Sequence, residues 1–155
     1  TCRWLPDIAG FDAAIEYKSE DVGAALVRHC PAGIDINFEN VGGPVMDSVI
    51  ARLNDFSRMP LCGLISVYNA TKPVPGPFNF GNLLMRRTLL KGFIVLDYLD
   101  RFPAGMRAMA NWLAASKIKF ETDIVHGLEI APAALDRLFS GKNLGKLLVK
   151  VSDPP

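Results

Sequence analysis

The stretch richest in chemistry-bearing side chains is Cys62-Gly63-Leu64-Ile65-Ser66-Val67-Tyr68-Asn69. It puts a small Gly, a Ser and a Tyr at the end of an apolar run, ahead of a long loop carrying Pro73, Pro75, Gly76 and Pro77. Tyr68 offers a hydroxyl as hydrogen-bond donor or acid while its ring packs over a flat ligand. Taken alone, the same residue serves equally to anchor the loop, and that is the plainer role. Asn40-Val41-Gly42-Gly43 also follows an apolar run and opens a helical pattern. Glycines there let a ligand approach the backbone, and a helix N-terminus favours an anion or polar group. An ordinary tight strand-to-helix turn has the same sequence. Lys142-Asn143-Leu144-Gly145-Lys146 is either a basic loop touching phosphate or a solvated turn.

Other chemistries find less support. Cys2, Cys30, Cys62, His29 and His126 fit no usual zinc spacing, so no metal is expected. Cys62 lies in an apolar strand pattern, where a thiol is inert, and no Ser or Cys occupies a nucleophile elbow. The 155 residues suffice for one ordinary domain. Half of them are hydrophobic and 21% charged, a globular composition. Seventeen Lys and Arg against 16 Asp and Glu leave a charge of +1, which gives no support to a nucleic-acid or polybasic membrane partner. No apolar run approaches the roughly 18–20 residues of a membrane span. Three cysteines without a C-x-x-C pair suit a reducing cytoplasm. The chain opens on Thr1 rather than Met, which suggests a piece of something longer.

These residues need elements to position them, and the periodicity alternates between strand and helix. Ala13–Tyr17 reads as a short strand. Ser19 is the expected N-cap of a helix carrying Val22, Ala25, Leu26 and His29, stopped by Pro31-Ala32-Gly33. Ile34, Ile36 and Phe38 alternate as in a strand, and Pro44 suits the first position of a helix through Leu53. Met59–Ile65 reads as a strand in which Pro60 favours a bulge or an unpaired edge. A loop over 66–79 is long enough to be functional. A short helix over 83–89, a strand Gly92–Leu96 and a helix with the stripe Phe102, Met106, Met109 and Leu113 follow. The tail adds a short strand near Ile118, a helix over 131–139 ended by Gly141, and a strand over 146–151. Such alternation predicts an α/β fold with a mostly parallel sheet, and ligands beyond the carboxyl ends of its strands.

In this order and spacing, several runs resemble one family: the zinc-independent medium-chain dehydrogenase/reductases of the prostaglandin reductase, leukotriene B4 dehydrogenase and curcumin reductase type. The runs are Gly10-Phe11-Asp12 with Tyr17-Lys18, Gly33-Ile34-Asp35 leading to Glu39-Asn40-Val41-Gly42-Gly43, and Cys62 through Asn69. Gly92-Phe93-Ile94-Val95, Gly127-Leu128-Glu129 with Pro132-Ala133, and Gly141 through Lys146 complete them. The resemblance covers nearly the whole chain. It implies a partial Rossmann-like parallel sheet with flanking helices, lacking the first βαβ unit, over residues 1–116. Residues 117–155 would be a tail that in the parent returns to a GroES-like catalytic domain. The chain would then be the C-terminal half of such an enzyme, without the Gly-rich pyrophosphate turn.

The resemblance implies a reaction, NADPH-dependent reduction of the C=C bond of α,β-unsaturated ketones and aldehydes, with small enones or enals as partners and no metal. Tyr17 would lie near the adenosine ribose-phosphate and Asn40 near the middle of the dinucleotide. Cys62, Gly63, Leu64, Ile65, Ser66, Val67 and Tyr68 would run along the nicotinamide half. Phe93, Ile94 and Val95 would frame the nicotinamide through main-chain groups, and Asn143 would close over the cofactor. Tyr68 would assist at the substrate carbonyl. The isolated chain is expected to be inactive and to dimerise through the strand Gly92–Leu96. Two other readings stand beside this one: a non-redox nucleotide-binding or methyltransferase-like α/β module, and a dimerisation element.

Overall fold

The structure, a computed structural model, describes residues 2–153. Thr1, which opens the expected fragment, and the last two residues of the expected tail lie outside them. The chain divides into two compact units, residues 15–105 and residues 1–14 with 106–155.

The first of these units is built on a three-stranded parallel sheet, in order β1 (Ile34–Ile36), β2 (Leu53–Leu61) and β3 (Leu89–Gly92). Helix α2 (Val22–His29) precedes β1, α3 (Gly43–Ile50) joins β1 to β2, and the short α4 (Gly81–Met85) precedes β3. Asp21, not Ser19, caps α2: its Oδ1 accepts the Ala24 N–H at 2.6 Å. Pro44 starts α3, where its missing N–H costs nothing. Leu26 of α2, Val49 and Ile50 of α3, and Leu53 and Met59 of β2 form one buried core. Ile15, Ile34 and Leu83 pack around it.

Several elements differ from expectation. Residues 13–17 form no strand, because no sheet neighbour among the described strands supplies their hydrogen bonds. The second strand runs from Leu53 to Leu61, and Ile65–Val67 turns as a 3-10 helix instead of extending it. Pro60 therefore sits in the central strand. Its carbonyl still accepts the Glu39 N–H at 2.9 Å, while its ring removes one ladder donor. The named part of β1 stops at Ile36, and pairing resumes only as the bridge Glu39–Leu61. The irregularity in register lies earlier, between Ile34–Leu53 and Ile36–Arg58, where Phe56 adopts φ 60°. The helix foreseen over 83–89 is α4, which ends at Met85. The strand foreseen at Gly92–Leu96 ends at Gly92, and Val95–Arg101 is a 3-10 segment whose start Asp97 caps through the Ile94 N–H at 3.2 Å.

The second unit holds α1 (Trp4–Asp7) and a parallel pair, β4 (Thr122–His126) and β5 (Lys146–Lys150), joined through α6 (Ala131–Ser140). Helix α5 (Phe102–Ala114) runs across the division between the units. The strand expected near Ile118 is β4, four residues further on. Arg137 of α6 holds Asp123 of β4 at 2.6 Å, and Gly141 ends α6 in the left-handed region at φ 67°.

The start of β2 is fastened by charge. Asp55 accepts from Arg86 at 3.1 Å and also pairs with Arg87, whose guanidinium lies 4.6 Å from the Phe56 ring centroid. The Arg86 and Arg87 hydrogen bonds hold the Asp55 carboxyl below its ordinary 3.8. A depressed carboxylate pKa contributes stability that is complete above the unfolded value and fades as pH falls through the folded one. Carboxyl NMR titration is expected to place Asp55 below 3.8, and Asp55→Asn to flatten the acid limb of a pH–stability curve.

Candidate functional site

All three strands of the larger sheet are parallel, so their carboxyl ends share one rim. The bridge Glu39–Leu61 and the pair Leu61–Gly92 bring these three ends side by side. Asn40, Cys62 and Phe93 follow them directly.

The rim is assembled around Glu39, which is 3% exposed. Its Oε1 accepts the N–H groups of Val41 at 2.8 Å and Gly42 at 2.7 Å, and Oε2 accepts Asn37 Nδ2 at 2.8 Å. Its own carbonyl accepts from Cys62 N–H at 2.9 Å and Gly63 N–H at 3.3 Å. The next two carbonyls continue the pattern: Asn40 accepts from Ile65 N–H at 3.2 Å and Val41 from Ser66 N–H at 2.9 Å. The two strand-end segments are thus zipped together, 39–41 against 62–66. The Glu39 carboxylate takes the Val41 and Gly42 N–H groups at the start of the Gly-rich turn. Sequence reading placed Glu39 at a strand end without assigning it a part. Its only sequence signal is an acidic residue directly before a Gly-rich turn.

Two of the polar side chains foreseen for the site meet over Gly63. A Cβ there would lie 2.5 Å from Asn40 Oδ1 and 3.3 Å from the Tyr68 hydroxyl. The bare backbone of Gly63 therefore lets an amide and a phenol come to one spot. Tyr68 is 65% exposed, so its ring is open to a ligand. Ser66 Oγ lies where a Cβ on Gly42 or Gly43 would come within 3.0 or 3.1 Å. Leu64 and Val67 turn to the other side, toward a cavity of about 460 Å3 bounded by α3 and the Pro-rich loop.

Phe93 joins the rim through its N–H, which donates to Leu61 carbonyl at 3.2 Å, and its ring meets Phe38 and Tyr98 edge-on at 6.0 and 5.9 Å. Ile94 and Val95 follow it, both more than half exposed. The Ile94 N–H and carbonyl are both engaged by Asp97. Tyr17 stands apart in a turn before α2, with the Lys18 ammonium 6.0 Å from its ring centroid. Asn143 belongs to the smaller unit, where its Nδ2 donates to Gly145 carbonyl at 2.9 Å. Cys62 is exposed at the rim. Among the described residues, no three His, Cys, Asp or Glu side chains group together as a metal site would require.

The arrangement provides an amide and a phenol beside one glycine and an adjoining apolar cavity. It suits a flat, partly polar ligand lying along the strand ends. Gly63→Ala is expected to push the Asn40 amide and the Tyr68 ring from their shared position while the fold survives, because both are ends of exposed side chains. Thermal unfolding should change by less than about 1 kcal/mol. Side-chain amide and tyrosine ring NMR signals should shift.

Comparison with known proteins follows this geometry. Residues 9–149 match the family model described as zinc-binding dehydrogenase. An NADPH-dependent curcumin reductase from Escherichia coli (strain K12) is 40% identical, over 97% of this chain and 45% of its own length. A 2-alkenal reductase (NADP(+)-dependent) from Nicotiana tabacum is 44% identical, over 92% of this chain and 42% of its own. The crystal structure of CurA from Vibrio vulnificus in complex with NADPH superposes with a TM-score of 0.91 at 44% identity, covering 99% of this chain and 47% of CurA. The chain spans less than half the length of the relatives it matches.

Proposed function

The chain belongs to the zinc-binding dehydrogenase family, and on that premise we propose that its strand-end rim is the nicotinamide-side wall of an NADPH-dependent enone and alkenal reductase. The observation that carries this reading is the meeting of Asn40 and Tyr68 over the bare backbone of Gly63, a cradle that one added methyl would fill. The activities of the curcumin and alkenal reductases support it. NADPH, when bound, supplies the hydride equivalent that such a reduction consumes.

The chain's own groups have three tasks. Asn40 and the segment Cys62, Gly63, Leu64, Ile65, Ser66 and Val67, which the bonds of its 62, 63, 65, 66 and 67 N–H groups hold in place, would line the flat edge of the dinucleotide. Phe93 and Val95 close its far side, with Ile94 contributing its side chain, since Asp97 engages its N–H and carbonyl. Tyr68 donates its hydroxyl toward the substrate carbonyl oxygen, where negative charge develops as the double bond is reduced. A donor hydrogen bond suffices to stabilise an enolate already conjugated. Tyr17 would reach the ribose-phosphate end. Within this reading, residues 1–116 form the cofactor-binding part and residues 117–155 a tail that completes the catalytic domain of the intact protein. Within the same reading the protein is placed in the cytoplasm, on the sequence's three cysteines without a C-x-x-C pair.

The 155 residues alone should bind NADPH more weakly than micromolar and turn over no enone, because a Gly-rich pyrophosphate turn of the kind the resemblance implies is not among them. In the intact gene product carrying this sequence, 4-phenylbut-3-en-2-one should drive NADPH oxidation, followed at the nicotinamide absorbance. Tyr68→Phe should lower kcat by about a hundredfold with KM for NADPH unchanged. No enone-dependent oxidation by the intact protein would defeat the reading, and micromolar NADPH binding by the 155 residues would defeat the need for that turn.

Homodimerisation belongs to the same proposal, through β3 and not through the Gly92–Leu96 stretch first expected to be the strand. β3 is an edge of its sheet, all four of its residues are exposed, and Leu89 is 61% exposed. An apolar unpaired edge invites strand addition by a second copy. Light scattering should give twice the chain mass, and Leu90→Pro should return it to one; a wild-type monomer would remove the dimer from the proposal.

A further inference from the structure

The Pro-rich loop borders the cavity beside the rim, yet little ties it down. Residues 71–76 are all exposed, and the backbone hydrogen bonds at its two ends are local ones, Ala70 N–H to Val67 carbonyl and Phe80 N–H to Pro77 carbonyl. What fixes its far end to the core is one side chain on α3. Asp47 Oδ1 accepts the Asn79 N–H at 2.8 Å, and its Oδ2 accepts Asn79 Nδ2 at 3.0 Å. The same Nδ2 lies 3.4 Å from the Asp47 carbonyl. Just beyond, Asn82 Nδ2 reaches the Ile50 carbonyl at 3.4 Å, a weaker tie on the next turn of the same helix.

We propose that Asp47 is a positioning residue: by latching Asn79 it sets the width of the apolar cavity between α3 and the Pro-rich loop, and so the fit of the substrate's apolar substituent. The assignment of that cavity to substrate rests on the enone-reductase reading; the latch itself does not. The cavity of about 460 Å3 has the size of a small-ligand site. Met46, Leu64, Val67 and Val74 give it an apolar lining, with Pro75 and Pro77 as stiff wall residues. Phe78, 95% exposed, stands at its lip one residue before the latch. Proline restricts the loop to few conformations, so a fixed end at Asn79 is transmitted along it instead of being absorbed. The Asp47 carboxylate also lines the cavity. A neutral aryl or alkyl group suits such a lining, whereas a carboxylate-bearing chain would meet a like charge.

Methyl-labelled chain, read by NMR, separates the two claims. With Asp47→Ala, the Val74 and Val67 methyl signals should move before any ligand is added, and Asp47→Asn combined with Asn79→Asp, which rebuilds the pair with its roles exchanged, should restore them. Unmoved signals in a folded Asp47→Ala protein overturn the latch. Asn79→Ser cuts the same contact from the loop side and carries the test should Asp47→Ala unfold. Titration with 4-phenylbut-3-en-2-one should shift the Met46, Leu64 and Val74 methyls saturably. The affinity should fall about tenfold in Asp47→Ala and return in the exchanged pair. In the intact gene product the same variant should raise KM for this enone about tenfold and leave KM for NADPH alone. Latch-dependent signals without any enone-induced shift overturn the substrate assignment and leave the latch standing.

Discussion

One buried carboxylate organises the end of the sheet where the chemistry is assigned. Glu39 satisfies two turn N–H groups and the Asn37 amide with its side chain, while its main chain bonds to β2 on both sides of Leu61. Burying an ionised group is costly unless its lone pairs are filled by donors, and here three donors surround it. The geometry of Asn40, Gly63 and Tyr68 is downstream of that arrangement. Asn40 is the next residue along the chain, and the carbonyls of residues 39–41 dictate where residues 62–66 run. A rim assembled in this way is tied together across two strand ends by hydrogen bonds of its own.

The remainder of the larger unit divides between stiffness and permissiveness. The core of Leu26, Val49, Ile50, Leu53 and Met59 clamps α2 and α3 onto one face of the sheet. The opposite face leaves Ile36 and Phe38 more than 60% exposed, and the β3 edge is equally open. Apolar surface of this extent is what strands present when another element or another copy packs on them. The Pro-rich loop is held differently, by chain stiffness and a side-chain latch, which lets it border a cavity without filling it.

Much of the fold was legible because its signals are local. Asn40-Val41-Gly42-Gly43-Pro44 announces a strand end, a tight turn and a helix start, and all three are present. Gly141 after the α6 stripe reads as a left-handed helix end and is one. The failures share another character. Residues 13–17 have strand composition but no neighbour in the sheet, and pairing cannot be judged from the strand itself. Asp21 displaced Ser19 as the α2 cap because the helix begins at Val22, one residue after Asp21 and three after Ser19, and geometry, not residue preference, selects between them. Pro60 reads as an edge residue, yet it occupies the central strand, where its carbonyl keeps one bond to β1 that sequence cannot foresee.

Residue types and their order determined the class of fold, the family and which strand ends carry polar chemistry, because periodicity and turn residues act over a few positions and survive in any context. Which side chains meet was decided only in three dimensions. The approach of Asn40 to Tyr68 over Gly63, the capture of the glycine turn by Glu39 and the hold of Asp47 on Asn79 each join residues separated by folding or choose among donors equally near in sequence. Such contacts depend on register, crossover and the absence of a Cβ at one place, and those are properties of packed strands rather than of any segment read alone.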